Sequence, residues 1–472
     1  MRLLLASFAL LSATLVLAPD ATSQATLDFL SATTDTAYKV SADGTRVSGS
    51  AAGGGFVWTS GGGEVLVGGA QAAIGTSDDG TVMAGTANLG GGTGPARWTS
   101  GSGWVALPFL GVTGCPDFGT SYDISADGST IVGLGWDGCS ALAFKWDALN
   151  GMASLPHTGT SGRSNAVSGN GLIVGGWQQF ANRSPSLWLA DGTEILPDTT
   201  AVGEFQALNF DGSIAVGGMN KPGGFSSEHM IWTADDGPTF LGSVAGFPGI
   251  SSLYSVSADG SVAGGGIGAV TPFDPNAANA TIWAKDTGEM RLLDDVLAEQ
   301  GVELPAEWNL QYVMGMSADG SVISGQAQGP GFGNFRGFIA TIDPELLGPW
   351  TDLGNALAGT NGDPELCGAG MLNAGDEISI DLSNALENST AWLAVGFTQV
   401  NVPFKGGTMV PSVSAPGFLF SMPTSPSGEA GLTAAWPAGV PSGFELFLQY
   451  WVQDGAAPVG FSASNAVMAT AP

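Results

Sequence analysis

The sequence has few basic residues, few histidines and few cysteines, and these shortages exclude several classes of function. Its 472 residues include 12 Lys and Arg against 42 Asp and Glu, so the formal net charge is −30. Without a basic stretch the chain cannot neutralise phosphates, which excludes nucleic acid as a partner. With two histidines and no His-Glu-x-x-His or Cys-x-x-Cys motif, a zinc centre or serine-nucleophile triad is not predicted. We therefore predict no metal and no cofactor.

Long apolar runs are confined to the N-terminus. Arg2 precedes an apolar stretch from Leu3 to Leu17, and small residues at Ser23 and Ala25 form a cleavage pattern. The stretch is shorter than the roughly 20 residues that a spanning helix needs, which disfavours the alternative of a membrane anchor. Residues 1–25 are therefore predicted to be a signal peptide, removed after Ala25. We expect a secreted protein with no membrane span after cleavage.

The three cysteines fit an oxidising compartment. Cys115 and Cys139 lie in two loops that the architecture below places on one face, and we predict a disulfide between them. Cys367 is then left over, and either burial or a bond between two chains would account for it.

Glycine, in contrast, is abundant, with 75 residues. This amount excludes a long coiled coil, whose heptads need strong helix formers. Disorder is also excluded, because 44% hydrophobic residues with 14 Trp and 23 Phe can form a core.

Much of the glycine belongs to a repeat. A Ser-x-Asx-Gly turn followed by an apolar segment occurs seven times, with the Asx residues Asp43, Asp79, Asp127, Asn170, Asp211, Asp259 and Asp319. An aromatic residue and, in the first six units, a second Gly turn follow; the aromatic residues are Trp58, Trp98, Trp146, Trp188, Trp232, Trp283 and Phe338. Each unit thus has four short apolar segments, the first two joined by what we predict to be a two-residue hairpin turn. Four antiparallel strands per unit indicate a propeller blade.

These units predict an all-β fold: a seven-bladed β-propeller over residues 26–343, a linker at 344–349 and a C-terminal β-sandwich domain over 350–472. The seventh unit ends before its fourth strand. We expect Thr26–Leu30 to supply that strand and so to close the ring. The segment Asp294–Gln300 predicts one or two helical turns.

The turn motif and the segment Ala143-Phe144-Lys145-Trp146 resemble the HAF-type repeats of bacterial secreted and autotransporter-like proteins, over residues 38–342. The C-terminal segment is similar to a terminal module on secreted proteins of planctomycetes and related bacteria. The resemblance implies an extracellular or cell-surface location in a bacterium and a propeller fold. It implies no activity.

Candidate ligand-binding residues lie in the loops inside the units. These loops combine aromatic, amide and carboxylate side chains, as sugar and peptide sites do, at Trp136, Asp137, Trp177, Gln178, Asn220, Phe225, Phe273 and Asp274. Packing between blades is the alternative role for the aromatic residues. The repeated Asp residues do not converge on one point as calcium ligands would, so we assign them to turn geometry.

Two functions remain. The first is a secreted, non-catalytic binding protein, expected to be a monomer, that uses the propeller as a platform for an extracellular glycan or protein. The alternative is a secreted polysaccharide-active enzyme, a hydrolase or lyase, whose paired carboxylates would do the chemistry. No residue is singled out as catalytic.

Overall fold

A computed structural model describes residues 25–31, 34–88, 93–111, 118–137, 139–221, 224, 226–244, 247, 249–268, 278–285, 287–331, 333–344, 348–370, 372, 374–375, 377–441 and 443–471. The chain divides into two compact units between residues 344 and 345. Within the described residues, no helix has the length and apolar character needed to cross a membrane.

The described residues of the first unit form seven four-stranded antiparallel sheets. Six are built from consecutive strands: β2 Thr34–Val40, β3 Arg46–Ala51, β4 Gly54–Thr59 and β5 Gly63–Val67 (blade 1); β6 Ala70–Thr76, β7 Val82–Asn88, β8 Thr93–Thr99 and β9 Gly103–Ala106 (blade 2); β10 Gly119–Ile124, β11 Thr130–Asp137, β12 Ser140–Asp147 and β13 Gly151–Ser154 (blade 3); β14 Gly162–Val167, β15 Val174–Gln179, β16 Arg183–Trp188 and β17 Glu194–Ile195 (blade 4); β18 Gly203–Leu208, β19 Ile214–Asn220, β20 Ser227–Thr233 and β21 Gly237–Phe240 (blade 5); β22 Ser251–Val256, β23 Val262–Ile267, β24 Asn279–Ala284 and β25 Met290–Leu292 (blade 6). The helix α1, Leu293–Glu299, follows β25 where the sequence predicts helical turns.

Blade 7 joins the two ends of this unit. It contains β26 Asn309–Met316, β27 Val322–Gln328 and β28 Phe335–Thr341, and its outer strand is β1, Thr26–Phe29. β1 pairs antiparallel with β28, from Thr26 opposite Thr341 to Phe29 opposite Phe338. The predicted closing strand is therefore present, and it covers an edge of β28 that would otherwise be free.

The seven sheets form a closed ring. Each sheet contacts the next through strands such as β3 with β6 and β7 with β10, and β27 of blade 7 contacts β2 of blade 1. The unit is thus a β-propeller, as the sequence predicts. The first strand of each blade is innermost, and the predicted aromatic residue, Trp or Phe, lies on the third strand.

The turns between the first two strands are longer than predicted. In blade 1 the Gly44 N–H donates to the carbonyl of Ser41, and only Gly44, with φ of 70°, has left-handed backbone. The buried Ser41 hydroxyl donates to Asp43 Oδ1 (2.7 Å) and accepts from the Arg46 N–H (2.9 Å), and Asp43 Oδ1 also accepts from the Thr45 N–H. The prediction of a two-residue hairpin is wrong, because these side chains satisfy the backbone of a wider loop.

The second unit is the predicted β-sandwich. A five-stranded sheet has the spatial order β29 (Trp350–Asp352), β38 (Phe461–Thr470), β37 (Glu445–Gln453), β32 (Thr390–Gly396) and β35 (Phe418–Pro423). A three-stranded sheet contains β30 (Glu365–Ala369), β31 (Glu377–Ser383) and β36 (Ala430–Ala435), and β33 (Gln399–Phe404) forms a hairpin with β34 (Gly407–Pro411). The two larger sheets share one apolar core, in which Ile380 of β31 and Tyr450 of β37 are both buried.

Candidate ligand-binding site

The innermost strands share an irregularity that repeats around the ring. In all seven blades a β-bulge interrupts the pairing of the first strand with the second at the residue three positions before the turn Ser or Asn. A bulged residue is left out of the ladder, and its side chain is re-aimed. The seven bulged residues are Tyr38, Ile74, Tyr122, Asn165, Gln206, Tyr254 and Met314.

These positions differ between blades, although the turn itself repeats. The residues five positions before the turn vary as widely: Thr36, Ala72, Thr120, Arg163, Glu204, Ser252 and Tyr312. Blades 1 to 3 carry small or uncharged residues there, whereas blades 4 and 5 carry a cation and an anion. Because a structural role common to all blades would select the same residue type in each, this variation indicates a role that is not shared by the blades.

Blades 4 and 5 are linked by a partly buried polar network. Arg163 Nη2 lies 2.8 Å from Glu204 Oε2, and Arg163 Nε donates to Asn165 Oδ1 at 2.5 Å. Asn165 Nδ2 donates to Glu204 Oε2 (3.0 Å) and to the carbonyl of Phe205 (2.8 Å). Arg163, Asn165 and Glu204 therefore hold one another in fixed positions between the two innermost strands.

Aromatic rings and a second arginine complete the arrangement. Arg163 Cζ lies 4.9 Å from the ring centre of Tyr122 and 5.9 Å from that of Trp177. Arg183 Cζ lies 5.4 Å from the Trp177 ring, and Arg183 Nη2 lies 3.7 Å from Glu204 Oε1. All three arginine–ring distances are within the range of cation–π attraction. We call the residues Tyr122, Arg163, Asn165, Trp177, Arg183 and Glu204 the axial cluster.

Two further tyrosines adjoin the axial cluster. The rings of Tyr254 and Tyr312 meet edge to face with their centres 5.8 Å apart. Burial raises the pKa of the Tyr254 hydroxyl, and the nearby Tyr312 and Glu204 raise it further. Tyr254 is therefore a neutral hydrogen-bonding group near Glu204 at physiological pH.

The opposite end of the axis is built differently. The turns of neighbouring blades are joined around the ring by backbone hydrogen bonds of 2.8 to 3.1 Å. In each of the following pairs the N–H of the first residue donates to the carbonyl of the second: Ala42 and Asp78, Asp78 and Ala126, Ala126 and Gly169, Asn170 and Phe210, Phe210 and Ala258, Ala258 and Ala318, and Ala318 and Ala42. All seven blades line a cavity of about 80 Å³ at this end. Ligand pockets measure roughly 300–1,000 Å³, so this cavity is too small for a sugar.

Three charged residues lie in this small cavity or beside it. Lys39 Nζ of blade 1 lies 3.1 Å from Asp123 Oδ1 of blade 3, and Asp123 Oδ2 accepts from the Val167 N–H. Burial raises the pKa of Asp78, which Lys39 partly offsets. The Asp123 side chain is only 4% exposed, so Asp123 links blades and is not accessible to a large substrate, whereas Asp78 is exposed.

The residues predicted from sequence lie mainly at the ends of second strands. Trp177 joins the axial cluster, whereas Leu134 occupies the corresponding position of blade 3, opposite Thr120. The half-buried Trp136 lies two residues further along β11. Asn220 ends β19, and its Nδ2 donates weakly to the Gly224 carbonyl at 3.4 Å. For Asp137 only the backbone is described, and Phe225, Phe273 and Asp274 lie outside the described residues.

Gln178 has a different role from the one predicted. It is 0% exposed, and its Oε1 accepts from the N–H groups of Thr158 and Gly159, both at 3.0 Å. The side chain therefore supports the loop between blades 3 and 4 and does not present a surface to a ligand. The polar side chain that the sequence places near a loop end here satisfies backbone N–H groups.

Cys139 has left-handed backbone with φ of 67° and is disulfide-bonded. Cys115 lies outside the described residues, so the pairing of these two cysteines stays a prediction.

Sequence reasoning missed five of the six cluster residues: Tyr122, Arg163, Asn165, Arg183 and Glu204. For Tyr122, Asn165, Arg163 and Glu204 the available signal was that the residue type differs from unit to unit at the third and fifth positions before each turn. Alignment of the seven units on the turn Ser would have shown it.

The structural similarities to known proteins are distant. TolB from Acinetobacter baumannii is similar at 16% identity and a TM-score of 0.33, over 55% of this chain and 54% of that one, so the chain spans about half of its length. Oligogalacturonate lyase from Vibrio parahaemolyticus (10% identity, TM-score 0.46, 66% of this chain and 91% of that one) and the β-propeller domain of the trilobed protease from Pyrococcus furiosus (10%, 0.42, 66% and 96%) are also similar. At these values no activity is transferred to this chain. No family model and no curated protein matches the sequence.

Proposed function

We propose that this protein is a secreted, non-catalytic binding protein that holds an extracellular glycan at the axial cluster. The observation that carries the proposal is the convergence of unlike aromatic, amide and charged side chains, two of which, Tyr122 and Asn165, lie at bulges that recur around the ring. Aromatic rings with a few fixed polar groups are typical of ligand sites.

The alternative is that the cluster only joins blades. An Arg–Glu pair with that role would suit every interface between blades, yet Arg163–Glu204 is the only such pair of innermost-strand residues among the described salt bridges. Other blades are joined by different polar contacts, such as the Lys39–Asp123 ion pair and the hydrogen bond from Gln326 Nε2 to Thr36 Oγ1 (2.8 Å), so the fold has no general need for an Arg–Glu pair.

The cluster has the chemistry that a sugar requires. The rings of Tyr122 and Trp177 offer flat apolar faces for stacking, and Arg183 presents N–H donors for hydroxyl or carboxylate oxygens. Arg183 is 46% exposed, whereas Arg163 lies deeper and fixes the geometry. Together they form a preorganised site at the axis.

A polysaccharide-active enzyme is the second candidate, and the presence of Glu204 in the cluster is the observation that favours it. However, Glu204 Oε2 accepts from Arg163 and Asn165, while Oε1 faces Arg183. Its oxygens are thus engaged by donors and are poorly placed to take a proton. Binding is therefore the function that the geometry favours.

Secretion and membership of the HAF-type repeat proteins are parts of the same proposal. Removal of a leader after Ala25 would leave Thr26, the first residue of β1, at the new N-terminus. N-terminal sequencing of protein recovered from the medium or the cell envelope of the expressing bacterium tests this. An intact leader on the exported protein would contradict it.

A glycan array and an assay for released sugars separate the two functions. We expect the purified mature chain to bind one or more glycans and to release no sugar from them. Trp177→Ala should abolish binding, whereas Trp98→Ala, on the third strand of blade 2 and outside the cluster, should leave it unchanged. Release of sugar would favour the enzyme, and the absence of any bound glycan would overturn the binding proposal.

A further inference from the structure

The axial cluster is rich in donors and poor in free acceptors. Its one carboxylate, Glu204, is surrounded by Arg163, Asn165 and Arg183. The two arginines and one glutamate leave a local charge of +1 on a chain whose net charge is −30. At physiological salt, charges beyond about 8 Å are largely screened, so this local excess decides what binds there.

Arg183 is the member of the cluster with donors to spare. It has five N–H donors, and among the described residues it lies against the Trp177 ring and 3.7 Å from Glu204, a loose approach compared with the 2.8 Å between Arg163 and Glu204. Its side chain is 46% exposed, so these donors are accessible to a ligand.

We infer that the glycan held by the axial cluster carries a carboxylate, which Arg183 binds while Trp177 stacks against the sugar ring. This inference rests on the proposed function. A guanidinium matches a planar carboxylate with two parallel hydrogen bonds, which gives both affinity and orientation. A glycan with one carboxylate per sugar unit is also repelled less by the strongly acidic protein than a more densely charged polyanion is.

The test compares pairs of oligosaccharides that differ in one group. A glucose oligomer, its counterpart with a C6 carboxylate (glucuronic acid) and its counterpart with a C6 sulfate are titrated into the full mature chain by calorimetry, and galactose and galacturonic acid oligomers are compared in the same way. We expect the carboxylate member to bind about tenfold tighter or more than the neutral member, as a charge-assisted pair allows.

Variants assign the difference to Arg183. Arg183→Gln should bring the carboxylate member down to the affinity of the neutral one, and Arg183→Lys should retain part of the preference because it keeps the charge but loses the planar fork. Arg336→Gln is the matched control, since Arg336 lies 5.2 Å from the Trp308 ring of blade 7 in a similar pair outside the cluster.

The outcomes separate this inference from the proposed function. Equal or tighter binding of the neutral member, or a preference for sulfate over carboxylate, would overturn the carboxylate inference and leave the binding function in place. A carboxylate preference that persists in Arg183→Gln would overturn the assignment to this residue. Failure of every oligosaccharide to bind, here and on the array, would overturn the proposed function.

Discussion

Closure of the propeller by β1 leads to a quantitative prediction for Leu30→Ala. Leu30 is 6% exposed and packs in a core with Val40, Phe56 and Ile339, and its N–H donates to the Gly337 carbonyl at 2.9 Å. Leu→Ala changes in such sites cost about 2.7–5 kcal/mol, and a site beside a strand end collapses partly. We therefore expect a loss of about 3 kcal/mol in the free energy of unfolding, which lowers the melting temperature by about 6 °C.

Thermal melting followed by circular dichroism measures this effect. Asp28→Ala, an exposed change on the same strand, is the control and should shift the free energy of unfolding by no more than about 0.5 kcal/mol. Deletion of residues 26–30 should destabilise the unit further, because it also frees the edge of β28. If Leu30→Ala and the deletion both melt like the original chain, β1 does not close the ring.

Four other predictions concern the turns and two buried titratable groups. Ser125→Ala should cost about 1–3 kcal/mol, measured by urea unfolding, because Ser125 donates to Asp127 and accepts from the Thr130 N–H; no loss would contradict the role of the turn serines. The seven amides that join the turns around the axis should rank among the slowest in hydrogen exchange, and fast exchange would contradict the ring. Burial lowers the pKa of His229 to about 4, so the unfolded chain takes up a proton below about pH 6.5 that the folded chain takes up only near pH 4. Stability should fall by about 3 kcal/mol over that range, and His229→Gln should remove this slope. Burial raises the pKa of Asp294 to about 6, so its contribution has the opposite sign: stability gains as pH falls from about 6 to 4, and Asp294→Asn should make the chain lose more stability on acidification than the original does.

Much of the fold could be predicted because its signals are local and repeated. A Ser-x-Asx-Gly turn needs only its own side chains, such as Ser41 and Asp43, to satisfy the loop, and Gly44 to adopt the left-handed backbone. The closing strand was predictable because the seventh unit, whose last strand ends at Thr341, has only three strands of its own. The width of the turn was not, because the sequence does not show that the serine hydroxyl caps a backbone N–H.

The candidate site was harder to predict because its members are distant in sequence. Arg163 and Glu204 are ordinary surface residue types, and they meet only because neighbouring blades place equivalent positions side by side. Trp177 was predicted as an aromatic residue near a loop, but its neighbour Gln178, chosen for the same reason, is fully buried. Adjacent residues of a strand point to opposite faces of the sheet. Trp177 therefore joins the site, whereas Gln178 points the other way and stabilises a loop.

The sequence by itself determined the all-β architecture, the repeat, the strand that closes the ring and the absence of a basic surface, because each depends on composition or on patterns within a few residues. Only the tertiary structure decided which side chains meet near the axis and that the cavity at the turn end of the axis is too small for a sugar. The packing of blades 3, 4 and 5 brings Tyr122, Arg163 and Glu204 together, and bulges re-aim Tyr122 and Asn165. One asymmetric cluster on a repeated scaffold is the result.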